Sequence, residues 1–230
     1  MVDLLAKGGP LVVPIVLGSV VGLGVLLERL WSLRRARVAP PGLGPAVRER
    51  VRDGDLEGAM RLAELSETAL GRVLSAGLSE AGAPRSEIRE RVEEVGRREA
   101  AHLERYVGVL GVVAAIEPLL GLLGTVTGMI DVFQRVVDEG VGDPKILASG
   151  IWEALITTAA GLTVAIPAYL AWRYLLARVR DLVLELEEEA SLLADLVCEG
   201  SVCSGRGRAA TADAEPPEAA GPTPTKEAAR

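Results

Sequence analysis

Aromatic side chains are scarce, at 3% of the 230 residues with a single phenylalanine. A soluble enzyme core of this size ordinarily draws more of its buried area from rings. One histidine and two cysteines leave no material for a dense metal site or a disulfide framework. Basic charge is also in deficit. The formal net charge is -7 and the pI about 5.0, which excludes the basic face that a nucleic-acid partner needs. The sequence carries no nucleophile paired with a base, no phosphate loop and no metal-ligand set, so no catalysed reaction and no cofactor are expected.

What is abundant is aliphatic. Leu, Val, Ala, Ile and Gly concentrate in three blocks, Leu11 to Leu27, Val107 to Ile130 and Ile151 to Trp172. About 20 mostly apolar residues cross a bilayer as a helix. The second and third blocks meet that length, and the first does once the uncharged Gly8, Gly9 and Pro10 extend it. The first block ends in Glu28-Arg29 without a small-residue cleavage site and has no positive cluster ahead of it, so it reads as a retained anchor.

Arginines give the orientation. Arg29, Arg34, Arg35 and Arg37 follow the first block, Arg97, Arg98 and Arg105 precede the second, and Arg173, Arg178 and Arg180 follow the third. The N-terminus offers only Lys7, and the second connection only Arg135 and Lys145 against Asp131, Asp138, Glu139 and Asp143. The positive-inside rule then puts the N-terminus in the periplasm and the C-terminus in the cytoplasm. The expected fold is all-α: an integral membrane protein with three transmembrane helices, long helices extending into the cytoplasm and a disordered C-terminal tail. Its expected parts are 1–30 with the first span, a cytoplasmic helical segment 31–106, a second span 107–131, a short periplasmic segment 132–150, a third span 151–173, a helix extension 174–199 and a tail 200–230.

Within 31–106, "VAPPGLGP" breaks the helix that leaves the membrane. Asp55 is expected to cap "DLEGAMRLAEL", and Ser66 "SETALGRVLSAGL", with Gly77 near its end. Ser86 should cap "EIRERVEEVGRREAAHLERY", whose charges recur at solvated helical spacings and which runs without a breaker into the second block. Asp143 as cap and Pro144 in the first turn suit the start of the third long helix, reaching about Leu196. Val179, Leu182, Val183, Leu186, Leu192, Leu193 and Leu196 give its far part an apolar stripe. Pro167 should kink that helix, and Trp31 and Trp172 should sit at the inner interface. His102 reads as a surface residue, while Cys198 and Cys203 make only half a zinc site in a reducing compartment.

The second block contains "EPLLGLLGTVTG", an acid and small residues inside an oily run. On a helical wheel Ala114, Glu117, Gly121, Gly124, Gly128 and Asp131 fall within about 100° of arc, with Thr125 at its border. Leu119, Leu120, Leu122 and Leu123 cover the rest. The third block repeats the design: Glu153, Thr157, Ala160, Gly161, Val164 and Ala168 share a side, with Thr158 and Ala165 at its edge. Gly121, Gly124, Gly128 and Gly161 allow close helix approach, where packing replaces the hydrophobic effect. A carboxylate at this depth costs on the order of 3 kcal/mol. Two accounts stay open on the residues. The threonines could bond back to their own helix, Glu153 could be a satisfied acceptor and Glu117 could cap a break made by Pro118. Alternatively Thr125, Glu153, Thr158, Glu117 and Thr157 line a proton pathway or meet a charged partner helix, since no basic residue is embedded beside the acids.

"PLLGLLGTVTGMI" and "EALITTAAGLTVAIPAYLAW" together resemble the MotA/TolQ/ExbB proton-channel family, and the three-span layout is similar to its ExbB/TolQ branch. MotA, with four spans, fits less well. The resemblance implies a pentamer in the bacterial inner membrane around the single transmembrane helices of an ExbD- or TolR-like partner, working with a TonB- or TolA-like protein. It further implies that Thr125, Glu153 and Thr158 line the path on which a partner aspartate cycles protons. Glu117 stands where relatives more often have a small or apolar residue, and Thr127 where they often have an aromatic one. The inclusion of Glu117 therefore rests on the residues alone.

Overall fold

The computed structural model describes residues 10–139 and 144–199, which form eight helices. Three dominate: α1 (Val12–Ser32), α7 (Val107–Glu139) and α8 (Pro144–Glu199). Among the described residues these are long and apolar enough to cross a membrane. At 1.5 Å per residue the 33 residues of α7 and the 56 of α8 reach about 50 and 84 Å, against a hydrocarbon core of about 30 Å. Both therefore project well beyond an apolar layer. Asp143, Lys7, Gly8, Gly9, Cys203 and the 200–230 tail, for which a cap, a span extension, half a metal site and disorder were expected, lie outside the described residues.

α7 and α8 run antiparallel. Gly111 faces Trp172, Gly121 faces Thr158 and Gly128 faces Ala154, so one index rises as the other falls. α1 lies against α7, also antiparallel, with Gly18 on Glu117 and Gly22 on Val113 and Leu110. Outward faces stay oily, with Val13, Leu17, Leu119, Leu122, Leu155 and Leu170 all exposed.

Five shorter helices, α2 (Arg35–Val38), α3 (Leu43–Arg52), α4 (Leu56–Leu65), α5 (Ala69–Ser79) and α6 (Arg85–Glu104), pack around the far part of α8. Their core joins Val47, Leu70, Leu74 and Ile88 to Leu175, Val179, Leu182, Leu186 and Leu193 of α8. Ion pairs clasp its rim: Arg35 to Glu185 at 2.5 Å, Arg48 to Glu189 and Arg85 to Asp195. Arg72 grips the buried Glu99 across α5 and α6 at 2.5 Å, and this hydrogen bond raises the Arg72 pKa.

Several local expectations are corrected. α3 goes unread because Pro45 and Gly44 look like breakers. Proline in a first turn costs little, since its missing N–H would have no helical acceptor there. Asp55 does cap α4, accepting from the Gly58 N–H at 2.8 Å. Thr68, not Ser66, caps α5 by accepting from the Gly71 N–H at 3.1 Å, while the Ser66 hydroxyl donates back to the Ala63 carbonyl at 2.7 Å. Gly77 does lie near the end of α5, in the last turn before Ser79. α6 starts at Arg85 behind Pro84, whose carbonyl accepts from Glu87 and Ile88, so Ser86 is already helical.

The charged helix also does not run unbroken into the second block. Arg105 is extended and Tyr106 left-handed (φ 66), separating α6 from α7. A left-handed tyrosine costs about 1–2 kcal/mol. Burial of Leu103 and Val107 on either side holds it, with the Arg29 and Arg105 guanidinium groups 5.4 and 4.8 Å from its ring centroid. In the far stripe of α8, Leu192 is exposed and Ala190, Ala194 and Val197 take buried places beside Leu193. Trp172 turns inward over Gly111, whereas Trp31 stays exposed with Arg37 stacked 3.3 Å from its ring centroid.

Candidate functional site

The α7–α8 seam is built by leaving side chains out. A Cβ at Gly121 would lie 2.9 Å from the Thr158 Cα, and one at Gly161 would lie 2.5 Å from the Glu117 carbonyl oxygen. One at Gly128 would meet the Ala154 Cβ at 3.0 Å, and Gly124 is covered by the Thr157 side chain. The helices thus touch backbone to backbone, where dispersion and short polar contacts replace the absent hydrophobic drive.

The threonines divide by what they bond. Thr125 donates to the Leu122 carbonyl, Thr157 to Ala154 and Thr163 to Ala159, each at 2.7 Å within its own helix. Thr158 instead crosses the seam and donates to the Gly121 carbonyl at 2.7 Å. That bond gives a helix carbonyl a second donor just where the glycine exposes it. Its hydroxyl is only partly buried, whereas Thr157 is 2% exposed.

The two acids are not brought together. Glu117 is 2% exposed, its carboxylate set against Gly18 of α1, and its Oε2 has no hydrogen-bond partner among the described residues. Glu153 is exposed, and no ion pair holds it among the described residues. The buried line of α8 is Ala154, Thr157, Gly161, Ala165 and Ala168, so Ala165 lies in the seam and Glu153 beside it. The reason is steric. Closest approach is set where Gly121 meets residues 157 and 158 and Gly161 meets the Glu117 backbone, and this fixes the rotation of α8. On α7, Ala114 is half-buried and Asp131 exposed at the far end.

Backbone and threonine methyls fill the seam, so any polar route past Thr125, Thr158 and Glu153 has to use surface outside it. Composition reasoning missed Gly18 and Gly22 of α1, which seat α7. Their four-residue spacing in "GSVVG" was the available signal.

A family model described as the MotA/TolQ/ExbB proton channel family matches residues 65–188. The chain is 36% identical over 184 residues to an ExbB-like biopolymer transport protein of Synechocystis, covering 77% of this chain and 71% of that one. It is 31% identical over 189 residues to an ExbB homologue of Methanothermobacter thermautotrophicus, covering 81% and 67%. Over 82 residues, 36% of each chain, it is 43% identical to the Tol-Pal protein TolQ of Haemophilus influenzae. The matched region runs from the end of α4 through both faces of the seam to the part of α8 that the bundle grips. An all-helical chain with three membrane-length helices, matched over more than half its length, belongs to the MotA/TolQ/ExbB proton channel family, a family of channel subunits and not of enzymes.

Proposed function

We propose that this protein is the ExbB-like subunit of an inner-membrane motor that couples the proton motive force to energised transport across the outer membrane. Copies of the chain, five by family resemblance, ring the single helices of an ExbD-like partner, and a TonB-like protein carries the output. The N-terminus lies in the periplasm; the 31–106 segment, the α8 extension and the C-terminus lie in the cytoplasm. Thr125, Glu153 and Thr158 line the path, with Thr157 behind them in the seam and the Glu117 carboxyl turned away from it, against Gly18 of α1.

The observation that carries this reading is Glu153, a carboxylate on the outer surface of a membrane-length helix with no cation to pair it among the described residues. A lone copy would present it to acyl chains at a cost of about 3 kcal/mol. A ring turns it toward a wet axis. The names of the relatives, as biopolymer transport proteins, support the ExbB form. The TolQ match supports a second form, in the Tol-Pal envelope system with TolR- and TolA-like partners.

The test is Glu153→Ala and Thr158→Val in cells. Energised outer-membrane transport should be abolished while membrane insertion persists, and full transport in both variants would end the proposal. If Tol-type function holds instead, envelope integrity is lost and transport is kept. A non-conducting scaffold would show proteoliposome flux with the partner that ignores both pH and Glu153→Gln.

A further inference from the structure

Glu117 sits apart from the proposed conduction face. α1 covers it from one side through Gly18, where the carboxylate oxygen Oε1 fills the space that a side chain would take. α8 closes the other side, with Gly161 against the Glu117 carbonyl. The glycine at 18 is therefore what admits the carboxyl, while Gly161 lets α8 close on the backbone of the same residue. The carboxyl's other oxygen, Oε2, is buried without a partner among the described residues.

Charged groups facing this pocket are distant on all three elements. On α1 the nearest described ones are Glu28 and Arg29, about 15 Å along the axis from Gly18. On α8 Glu153 and Arg173 lie about 12 and 18 Å from Gly161; on α7 Asp131 lies about 21 Å from Glu117, and Arg105 stands beyond the helix start at Val107, itself about 15 Å away. The Ser19 hydroxyl is already committed to the Val16 carbonyl at 2.8 Å. A neutral acid fits such a place far better than a carboxylate, because an unpaired buried charge is the costlier species.

We propose that Glu117 is a proton-binding latch between α1 and the α7–α8 pair. With the proton on, the carboxyl docks into the Gly18 notch and α1 is seated. When the O–H bond breaks and the proton passes to water, the carboxylate has to be hydrated and α1 gives way. The latch goes beyond the conduction path and does not depend on it.

The test uses the full chain carrying Cys198→Ser and Cys203→Ser. Gly22→Cys and Val113→Cys place thiols one turn from the latch on facing helices, where a Cβ at Gly22 lies 3.4 Å from the Val113 Cγ1. Their disulfide yield in native membrane vesicles reports seating of α1. Dividing it by the yield of the same chain with Glu117→Gln cancels the titration of the thiols themselves. The ratio should be near unity at acidic pH and fall several-fold at alkaline pH. Gly18→Ala should lower the yield at every pH, and Glu117→Ala in the same chain should restore it.

Infrared spectra supply a readout free of cysteines. The C=O stretch of a protonated carboxyl should be lost in Glu117→Gln and kept in Glu153→Gln. A ratio flat across pH, an unaffected yield in Gly18→Ala, or a protonated-carboxyl band that Glu117→Gln leaves intact overturns the latch. Proton flux that survives Glu153→Ala removes the conduction reading and leaves the latch standing.

Discussion

Between Ala154 and Ala168, α8 is buried through Ala154, Thr157, Gly161, Ala165 and Ala168; between Leu175 and Leu193 it is buried through Leu175, Val179, Leu182, Leu186 and Leu193. One helix therefore packs by two opposite rules. In the apolar stretch, lipid solvates leucine as well as a neighbouring helix does, so the inward face is small and the leucines, Leu155, Leu162 and Leu170, point out. In the bundle, water makes burial of large aliphatics worth about 25 cal/mol per Å², so the leucines point in and charges form the rim. The change of rule along α8 marks the change of solvent without reference to any partner or ligand.

The sharpest way to break this comparison is to give each region the other's residue. Gly121→Leu should be the most damaging change, since even a Cβ there meets the backbone of Thr158. Loss of folded protein from the membrane fraction is expected, and normal recovery would mean that the seam does not need its glycines. Leu186→Ala in the bundle should cost about 2–5 kcal/mol, seen as a clear fall in thermal midpoint in detergent with insertion retained. Leu170→Ala, a leucine on the outward face of the apolar stretch, should leave that midpoint almost unmoved.

Ion pairs sharpen the contrast further. Arg72→Met leaves Glu99 buried without its partner, and about 1–3 kcal/mol of stability should go. The thermal midpoint in detergent checks it, and an unmoved midpoint would show that the pair adds nothing to the bundle. The smallest effect belongs to Asp55. The Gly58 N–H first, and then Arg50, hold its carboxyl below the usual range. A depressed folded pKa contributes stability that is full above the ordinary Asp range and disappears as pH falls through the folded value. Asp55→Asn keeps the cap acceptor but not the charge, so it should flatten this acid limb by lowering the melting midpoint slightly at neutral pH and leaving it unmoved at acidic pH.

The three long helices were legible because their signal is repeated over many residues: apolar length, arginine flanks and glycines every fourth position. Glu117, Gly121 and Gly124 on α7, and Thr157 and Gly161 on α8, could be put on common faces by period alone. Rotation was less legible. Helical spacing puts Glu153 with Thr157 and Gly161, but contact between Gly121 and the backbone at 157 and 158 turns Glu153 to the margin. Cap positions failed for the same kind of reason. Ser66 and Thr68 are chemically equivalent as caps, and only the chain path, extended at Thr68, decides between them. The break at Tyr106 carries neither glycine nor proline, so it had no local mark.

The 56 residues of α8 form one uninterrupted helix, and it ties events in the apolar layer mechanically to the bundle. From Gly161 to its described end is about 57 Å, so a tilt of about 5° pivoting at the closest approach would swing the distal tip by about 5 Å. A lever of that reach carries a push at the acids to Glu185, Glu189 and Asp195 with no step of local unfolding, and the arginines that grip those three side chains are where the stroke would be felt.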